Sequence, residues 1–468
     1  MRPVGKHISP AATSPNVPHR TRTLRPVCRK YPFPSDPSPI VRCRPEVQVS
    51  HSSPHAKSRV FYGWFVVAGA FAVTFVGFGC AYTFSVFLEP MQTTFHASLG
   101  SVSLVFSVAG FLYFALGIVS GPLADRWGSR QLAIVGMIMM SLGLVIAGVA
   151  PNLSTVYAAY GLGIGLGVGC SYVPSIGAVQ RWFLRQRGLA TGLAVSGISV
   201  GTLVMPPLAS FLIETVGWRN AYVFLGILAA VIGIGMALLI ENDPSDRGLG
   251  PDGAIPHHPA HTRHVGGVSI RDAVTSWRFV GLYLACLIGS FGLFIPFVHL
   301  VPYAQDHGVP SSSAVFLLSL IGIGSTVGRF LLGGLADRMD RRTAVLVMFI
   351  GMAFSQVLWI FSNDFWPLAA FALIFGTFYG GFVALLPSIV MDDFGGRNVS
   401  GIIGILYTSV AFGTLVGPSA AGYAFDITHS YTLPILASVC TNVIAACIVA
   451  GTGRAPIQLH KAGGARGD

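Results

Sequence analysis

The chain has 468 residues and a formal net charge of +11, yet 53% of its residues are hydrophobic and only 10% are charged. A soluble domain carries about a quarter charged residues, so a mean hydropathy of +0.67 excludes an ordinary soluble protein and indicates a membrane one. The positive charge does not signal nucleic-acid binding, because residues 1–60 alone hold eleven of the 29 Lys and Arg against two acids.

Eleven prolines are interleaved with those charges, so residues 1–60 read as a disordered basic tail. The tail has no apolar core of a cleaved signal peptide, and anionic lipid headgroups would attract it. Beyond it, apolar runs of about 20 residues, the length that crosses a bilayer as helix, recur twelve times. They cover 62–88, 102–124, 131–150, 154–181, 188–214 and 219–241, then 278–304, 313–336, 343–362, 365–391, 398–425 and 430–452. The runs lack the period-two alternation of a membrane barrel, which leaves helices. The expected organisation is a tail (1–60), a six-helix bundle (61–241), a linker (242–277), a second six-helix bundle (278–453) and a short tail (454–468).

Cations fall on one side of this arrangement. Arg126 and Arg130 follow span two, Arg181, Arg185 and Arg187 span four, and Arg338, Arg341 and Arg342 span eight. Arg247, Arg263, Arg271 and Arg278 lie between spans six and seven, Arg397 follows span ten, and Arg454, Lys461 and Arg466 follow the last. The alternate loops hold Arg219 alone. By the positive-inside rule both termini are cytoplasmic, and the expected location is the plasma, or inner, membrane. Seven scattered cysteines make no ligand or disulfide spacing. The linker histidines His257, His258, His261 and His264 sit in a Gly/Pro-rich loop that fixes no metal geometry, so a tether is the better reading. No metal or cofactor is expected.

Gly121-Pro-Leu-Ala-Asp125-Arg126-Trp-Gly-Ser-Arg130 recurs as Gly333-Gly-Leu-Ala-Asp337-Arg338-Met-Asp-Arg-Arg342, an offset of 337 − 125 = 212. The same offset carries Pro90 onto Pro302 and Pro206 onto Pro418. Two similar membrane halves create a pseudo-symmetric interface, the usual place for a transported solute. Within the spans Gly161, Gly165 and Gly169 share a helical face, as do Gly117 with Gly121, Gly197 with Gly201, and Gly413 with Gly417. Such faces let helices approach closely in lipid.

The doubled G-x-x-x-D-R-x-x-x-R element resembles the signature of the major facilitator superfamily over about residues 60–453, with Asp340 replacing the second copy's glycine. The resemblance implies an all-α, twelve-helix transporter fold in two pseudo-symmetric bundles. It further implies that Gly121, Asp125, Arg126 and Arg130, with Gly333, Asp337, Arg338 and Arg342, gate the conformational cycle. Asp125 would dock on a helix end of the other half, which the helix dipole favours.

Asymmetry between the halves points to a solute site. Arg329 lies inside span eight where the other half has Gly117, and an arginine within a span marks a functional site by default. The predicted spans hold no carboxylate at that depth, which suits a bidentate carboxylate ligand; the alternatives are snorkelling or a backbone carbonyl partner. His299, opposite Phe87 of the first half, is suited to relaying a proton or holding an anion, or else is a packed histidine. Tyr82, Tyr172 and Tyr407 are further candidates for substrate contact, or ordinary packing.

Phe61-Tyr-Gly-Trp64, Gly217-Trp-Arg219, Asp246-Arg-Gly-Leu-Gly-Pro-Asp-Gly253 and Val298-His-Leu-Val-Pro-Tyr303 resemble the monocarboxylate transporter and oxalate/formate exchanger branch. That resemblance maps a span-eight arginine onto Arg329 and implies small carboxylate cargo. Two departures narrow it. Val410 stands where oxalate exchangers carry a lysine, and Ser325 where animal monocarboxylate carriers have an acid one turn before the arginine.

The expectation is a secondary transporter, not an enzyme, that moves a small organic anion by H⁺ symport or anion exchange, as a monomer among lipids. Efflux of drugs or other metabolites, and a non-transporting ligand sensor, are the alternatives.

Overall fold

The computed structural model describes residues 23–30, 41–48, 61–253, 268–336, 339–395 and 399–452. Two compact units are present, Met1–Val60 and Phe61–Asp468. In the first, Thr23–Lys30 and Val41–Gln48 form an antiparallel ladder running from Thr23 opposite Gln48 to Lys30 opposite Val41. The sequence reading expected no regular structure there. Charge and proline content dominate the segment's average, but each eight-residue stretch keeps Val and Cys that suit a strand. A two-stranded ladder of this kind is marginal alone.

The second unit is helical. Among the described residues ten helices are each long and apolar enough to cross a membrane, and the bent pair Leu99–Ala115 and Gly117–Ala124 makes an eleventh. Arg187–Ala237, 51 residues, would be ~75 Å long as one helix, against a hydrocarbon layer about 30 Å thick. It is two crossings, broken at Gly217, whose φ of 81° suits only glycine without strain. Twelve spans follow. Span one is Gly63–Phe95, two Leu99–Ala115 with Gly117–Trp127, three Ser129–Gly148, four Leu153–Trp182, and five and six are 187–216 and 218–237. Span seven is Trp277–Asp306, eight Ser311–Ala336, nine Arg341–Ile360, ten Phe365–Phe394, eleven Val399–Thr428 and twelve Thr432–Gly451. The protein is an integral, multi-pass membrane protein.

Helix starts follow local chemistry: the side chains of Ser98, Asn152, Ser276 and Asp340 accept first-turn amides, as helix caps do. Span one runs to Phe95, beyond the apolar run that ended at 88. After Leu88 the helix turns amphipathic, burying Met91 and setting Phe95 against Trp218.

Small residues place the helices. Gly161, Gly165 and Gly169 lie against Val108, Leu112 and Leu116 of span two, while Gly197 and Gly201 lie against the span-one backbone. The tightest seam joins spans eight and ten. There a Cβ on Gly324 or Gly328 would run into the carbonyls of Leu373 and Thr377, and one on Gly376 or Gly380 into those of Ile321 and Ser325. Four glycines at four-residue spacing on two helices therefore interlock backbone on backbone, and Arg329 leaves the helix next to that lock. The first half (spans one to six) meets the second chiefly where span two runs beside eleven and five beside eight.

Gly328→Ala is expected to cost about 1–3 kcal/mol by overpacking this seam, read as a lower thermal midpoint in detergent. Gly177→Ala, whose Cβ would meet nothing nearer than Arg181 at 3.9 Å, should leave the midpoint in place.

Candidate functional site

Arg329 is 8% exposed. Its Nη1 donates to the main-chain carbonyl of Val195 on span five, in the opposite half. Nε and Nη2 are buried without a hydrogen-bond partner among the described residues. These two nitrogens form one edge of the planar guanidinium, the edge that grips two carboxylate oxygens side by side. The charge has not snorkelled to an interface. One edge of the cation is spent on backbone and the other remains available.

Tyrosines surround it. Tyr379, Tyr172, Tyr82 and Tyr407 lie near the guanidinium, so the three tyrosines singled out in the sequence do gather near Arg329. Tyr82 on span one and Tyr379 on span ten join the halves by an OH···OH hydrogen bond of 3.0 Å. Phe297 packs on both, at 4.6 Å from Tyr82 and 5.1 Å from Tyr379 between ring centroids. Phe78 stands edge-on to Tyr172 at 5.1 Å, and Phe114 lies 5.8 Å from Tyr407. Aromatic and hydroxyl-bearing side chains of both halves thus gather around the buried cation.

Next to it, the halves are stitched by hydroxyls. Ser199 Oγ donates to Ser325 Oγ at 3.0 Å, and Ser319 Oγ donates to the Leu203 carbonyl at 2.8 Å. Ser325, one turn before Arg329, is therefore spent on the seam.

His299 lies elsewhere. It is fully buried between spans seven, eleven and twelve, with Nε2 2.8 Å from the Pro418 carbonyl and its ring 5.7 Å from Tyr431. A carbonyl only accepts, so Nε2 carries the proton, and Nδ1 is buried without a partner among the described residues. The structure does not bring His299 to Arg329.

At the arginine-rich end the two copies of the repeated element share one contact. Arg130 donates from Nε to the Ile240 carbonyl at 2.8 Å and from Nη2 to Glu241 at 3.0 Å. Arg342 donates to the carbonyls of Val449 and Ala450. Each arginine caps the C-terminal end of the last span of its own half, as helix polarity favours. Arg126 is exposed, and Gly121 faces Val173 of span four. Asp125 ends span two with its side chain outside the described residues; so, too, is Gly333's environment on span eight. Asp337, Arg338 and the linker histidines lie outside the described residues altogether.

The sequence model of the Major Facilitator Superfamily matches residues 70–418 and 280–464. Monocarboxylate transporter 12-B of Danio rerio is 30% identical over 394 residues, covering 79% of this chain and 83% of that protein. The chain belongs to the major facilitator superfamily, in its monocarboxylate-transporter branch. Monocarboxylate transporter 11 of Mus musculus is likewise 30% identical over 82% of this chain and 85% of its own, and monocarboxylate transporter 2 of Homo sapiens 27% over 79% and 81%. The fold is shared with a bacterial homolog of the human lysosomal transporter Spinster, at a TM-score of 0.66 and 17% identity over 84% of this chain and 97% of that one. As a member of this superfamily the protein is a membrane transporter rather than an enzyme.

Within this facilitator fold Tyr379 is the site residue that the sequence reading missed. The signal was present. Spans four and ten are related by 387 − 174 = 213, which puts Tyr379 opposite Leu166, the same kind of asymmetry that singled out Arg329. The start of the linker is likewise fastened to the bundle. Glu241 accepts from Arg247 at 2.6 and 2.8 Å as well as from Arg130, and Asp252 accepts the amides of Leu184 and Arg185.

The Arg247 hydrogen bond, aided by the charge of Arg130, holds the Glu241 carboxyl below the usual carboxylate range. A depressed folded pKa stabilises above the unfolded value and is lost as pH falls through the folded one. Amide protection factors over residues 240–248, corrected for the intrinsic pH dependence of exchange, are therefore expected to be high near neutral pH and to fall once the pH drops below the usual carboxylate range. Glu241→Gln should show the low protection factors at neutral pH as well.

Proposed function

We propose that the protein carries a small monocarboxylate, or an organic acid with one carboxylate, across the membrane by alternating access of its two halves. The observation that carries this reading is the buried Nε–Nη2 edge of Arg329, which lacks a partner among the described residues, on a guanidinium with four tyrosines near it. One fixed cation matches one negative charge, and with Val410 in place of a second cation a dianion is disfavoured. The names of the relatives agree with this class of cargo.

An uncompensated anion would work with or against the membrane potential at about 2.3 kcal/mol per 100 mV, so movement with H⁺ or against another anion is proposed. Nδ1 of His299 is a buried basic nitrogen available to a coupled proton, remote from the cargo. The arginine-rich end, by the positive-inside rule, is taken as cytoplasmic, with the protein in the plasma membrane. The repeated element, including Asp125, Asp337 and Arg338, is proposed to gate that end.

The test is uptake of labelled carboxylates, cations and neutral solutes into proteoliposomes. Monocarboxylates should be taken up and saturate. Arg329→Ala should raise the half-saturating concentration roughly thirtyfold or more, since removing one partner of a buried charge pair costs at least about 2 kcal/mol. Transport of cations, or indifference to Arg329→Ala in folded protein, would favour drug efflux instead. Binding without uptake would indicate a sensor. An inward proton gradient against an internal unlabelled anion separates symport from exchange.

A further inference from the structure

At the arginine-poor end the carboxylate of Asp426 ties a helix end of one half to the other. Asp426, in the last turn of span eleven, accepts from the Leu99 amide through Oδ1 and the Gly100 amide through Oδ2, both at 2.9 Å. These are the first two amides of span two, in the other half. The third, of Ser101, goes to Ser98 Oγ, and the Val102 amide to the Ser98 carbonyl. Every first-turn donor of span two is therefore satisfied, half of them from across the interface. Beneath the carboxylate the backbones touch: a Cβ on Gly422 would lie 2.7 Å from Gly100 Cα.

The repeat makes this contact more than incidental. By the same offset of 426 − 214 = 212, Asp426 corresponds to Glu214 at the end of span five, and the start of span two to the start of span eight. Glu214 is exposed, and its carboxylate accepts from Ser210 on its own helix at 3.3 Å. One of two equivalent carboxylates has been recruited to a helix end of the opposite half. Spans two and eleven run antiparallel, so Asp125 occupies the last turn of the same pair at its other end, close to where Gly117 and Gly404 meet.

We propose that Asp426 is the latch that holds the arginine-poor end shut, and that breaking it is the step that opens the cavity toward that side. The carboxylate gains from two amides and from the helix dipole at once. Separating the halves there exposes both amides and the charge to water, which replaces the contact at small net cost, so the latch is reversible. The closed state also carries the Tyr82–Tyr379 bond and a hydrogen bond from Gln305 to Glu89 at 3.3 Å. Among the described residues Asp426 alone brings a carboxylate onto a helix end of the opposite half. The latch is independent of what Arg329 binds.

The test is spin-label distance measurement on the full chain in nanodiscs, with the seven native cysteines replaced. Labels at Thr93→Cys and Ser312→Cys report across the halves, and labels at Thr93→Cys and Asn220→Cys report within the first half. Asp426→Ala should raise the population with a widened cross-half distance about tenfold, the loss expected for hydrogen bonds to a charged group, with the within-half distance unchanged. Leu99→Pro removes one of the two donors at a helix position that tolerates proline, and should widen the cross-half distance to a smaller extent. An unchanged cross-half distribution in Asp426→Ala, with the within-half distance preserved, overturns the proposal. Should Asp426→Ala fail to fold, an unchanged distribution in Leu99→Pro overturns it equally.

Discussion

A guanidinium held inside the bundle by a main-chain carbonyl of the opposite half is the constraint on which the rest depends. Burying an ion costs several kcal/mol unless it is paired, and the usual solution is a neighbouring acid. Here the partner is the Val195 carbonyl, which orients the cation without neutralising it. The positive charge therefore persists in surroundings where Coulomb interactions are strong. In the proposed reading an arriving anion completes its coordination. The glycine lock between spans eight and ten matters for the same reason, since it sets the depth and direction from which the arginine starts.

Prolines divide the work of holding the bundle together. Pro296 has no amide, which leaves the Gly292 carbonyl without its helical donor; Ser438 Oγ at 2.9 Å and Gln356 Nε2 at 3.3 Å donate to it instead. Asn442 then ties down Gln356 at 3.0 Å. That network lies wholly within the second half and stiffens the break in span seven. Pro207 likewise frees the Leu203 carbonyl, but the donor that satisfies it is Ser319, in the other half. In lipid a stranded carbonyl must find some partner. Partners inside one half make that half rigid, whereas partners across the seam can be exchanged when the halves part.

Much of this was legible in the sequence because it lives in the averages that lipid imposes. Twelve apolar runs and the 212-residue repeat identify the two bundles, and the intramembrane charge isolates Arg329. Less legible was anything decided by which face of a helix meets which neighbour. Tyr379 is one aromatic among many in span ten until packing places it against Tyr82. His299 was the weaker candidate beside Arg329, and the carbonyl that claims it belongs to Pro418, 119 residues away. Asp426 lies near a helix end, where carboxylates are ordinary; only the backbone contact at Gly422 brings it within reach of span two. The ladder in residues 23–48 escaped for the opposite reason, since a composition average hides two short strand-forming stretches.

The two seams between the halves are related by the repeat yet differ in chemistry. On span two the position equivalent to Arg329 is Gly117, against which the backbone of Gly404 can close. A long side chain there would hold spans two and eleven apart. On span eight the arginine instead reaches across to span five, and hydroxyl bonds at Ser319 and Ser325 add to the backbone contact that Gly322 makes with Ser199 and Leu203. A carboxylate on the open edge of Arg329, hydrogen-bonded by Tyr82 from the first half and Tyr379 from the second, would draw both halves onto itself. A ligand shifts a conformational equilibrium only through its differential contacts with the two states. Contacts supplied jointly by both halves are of that kind.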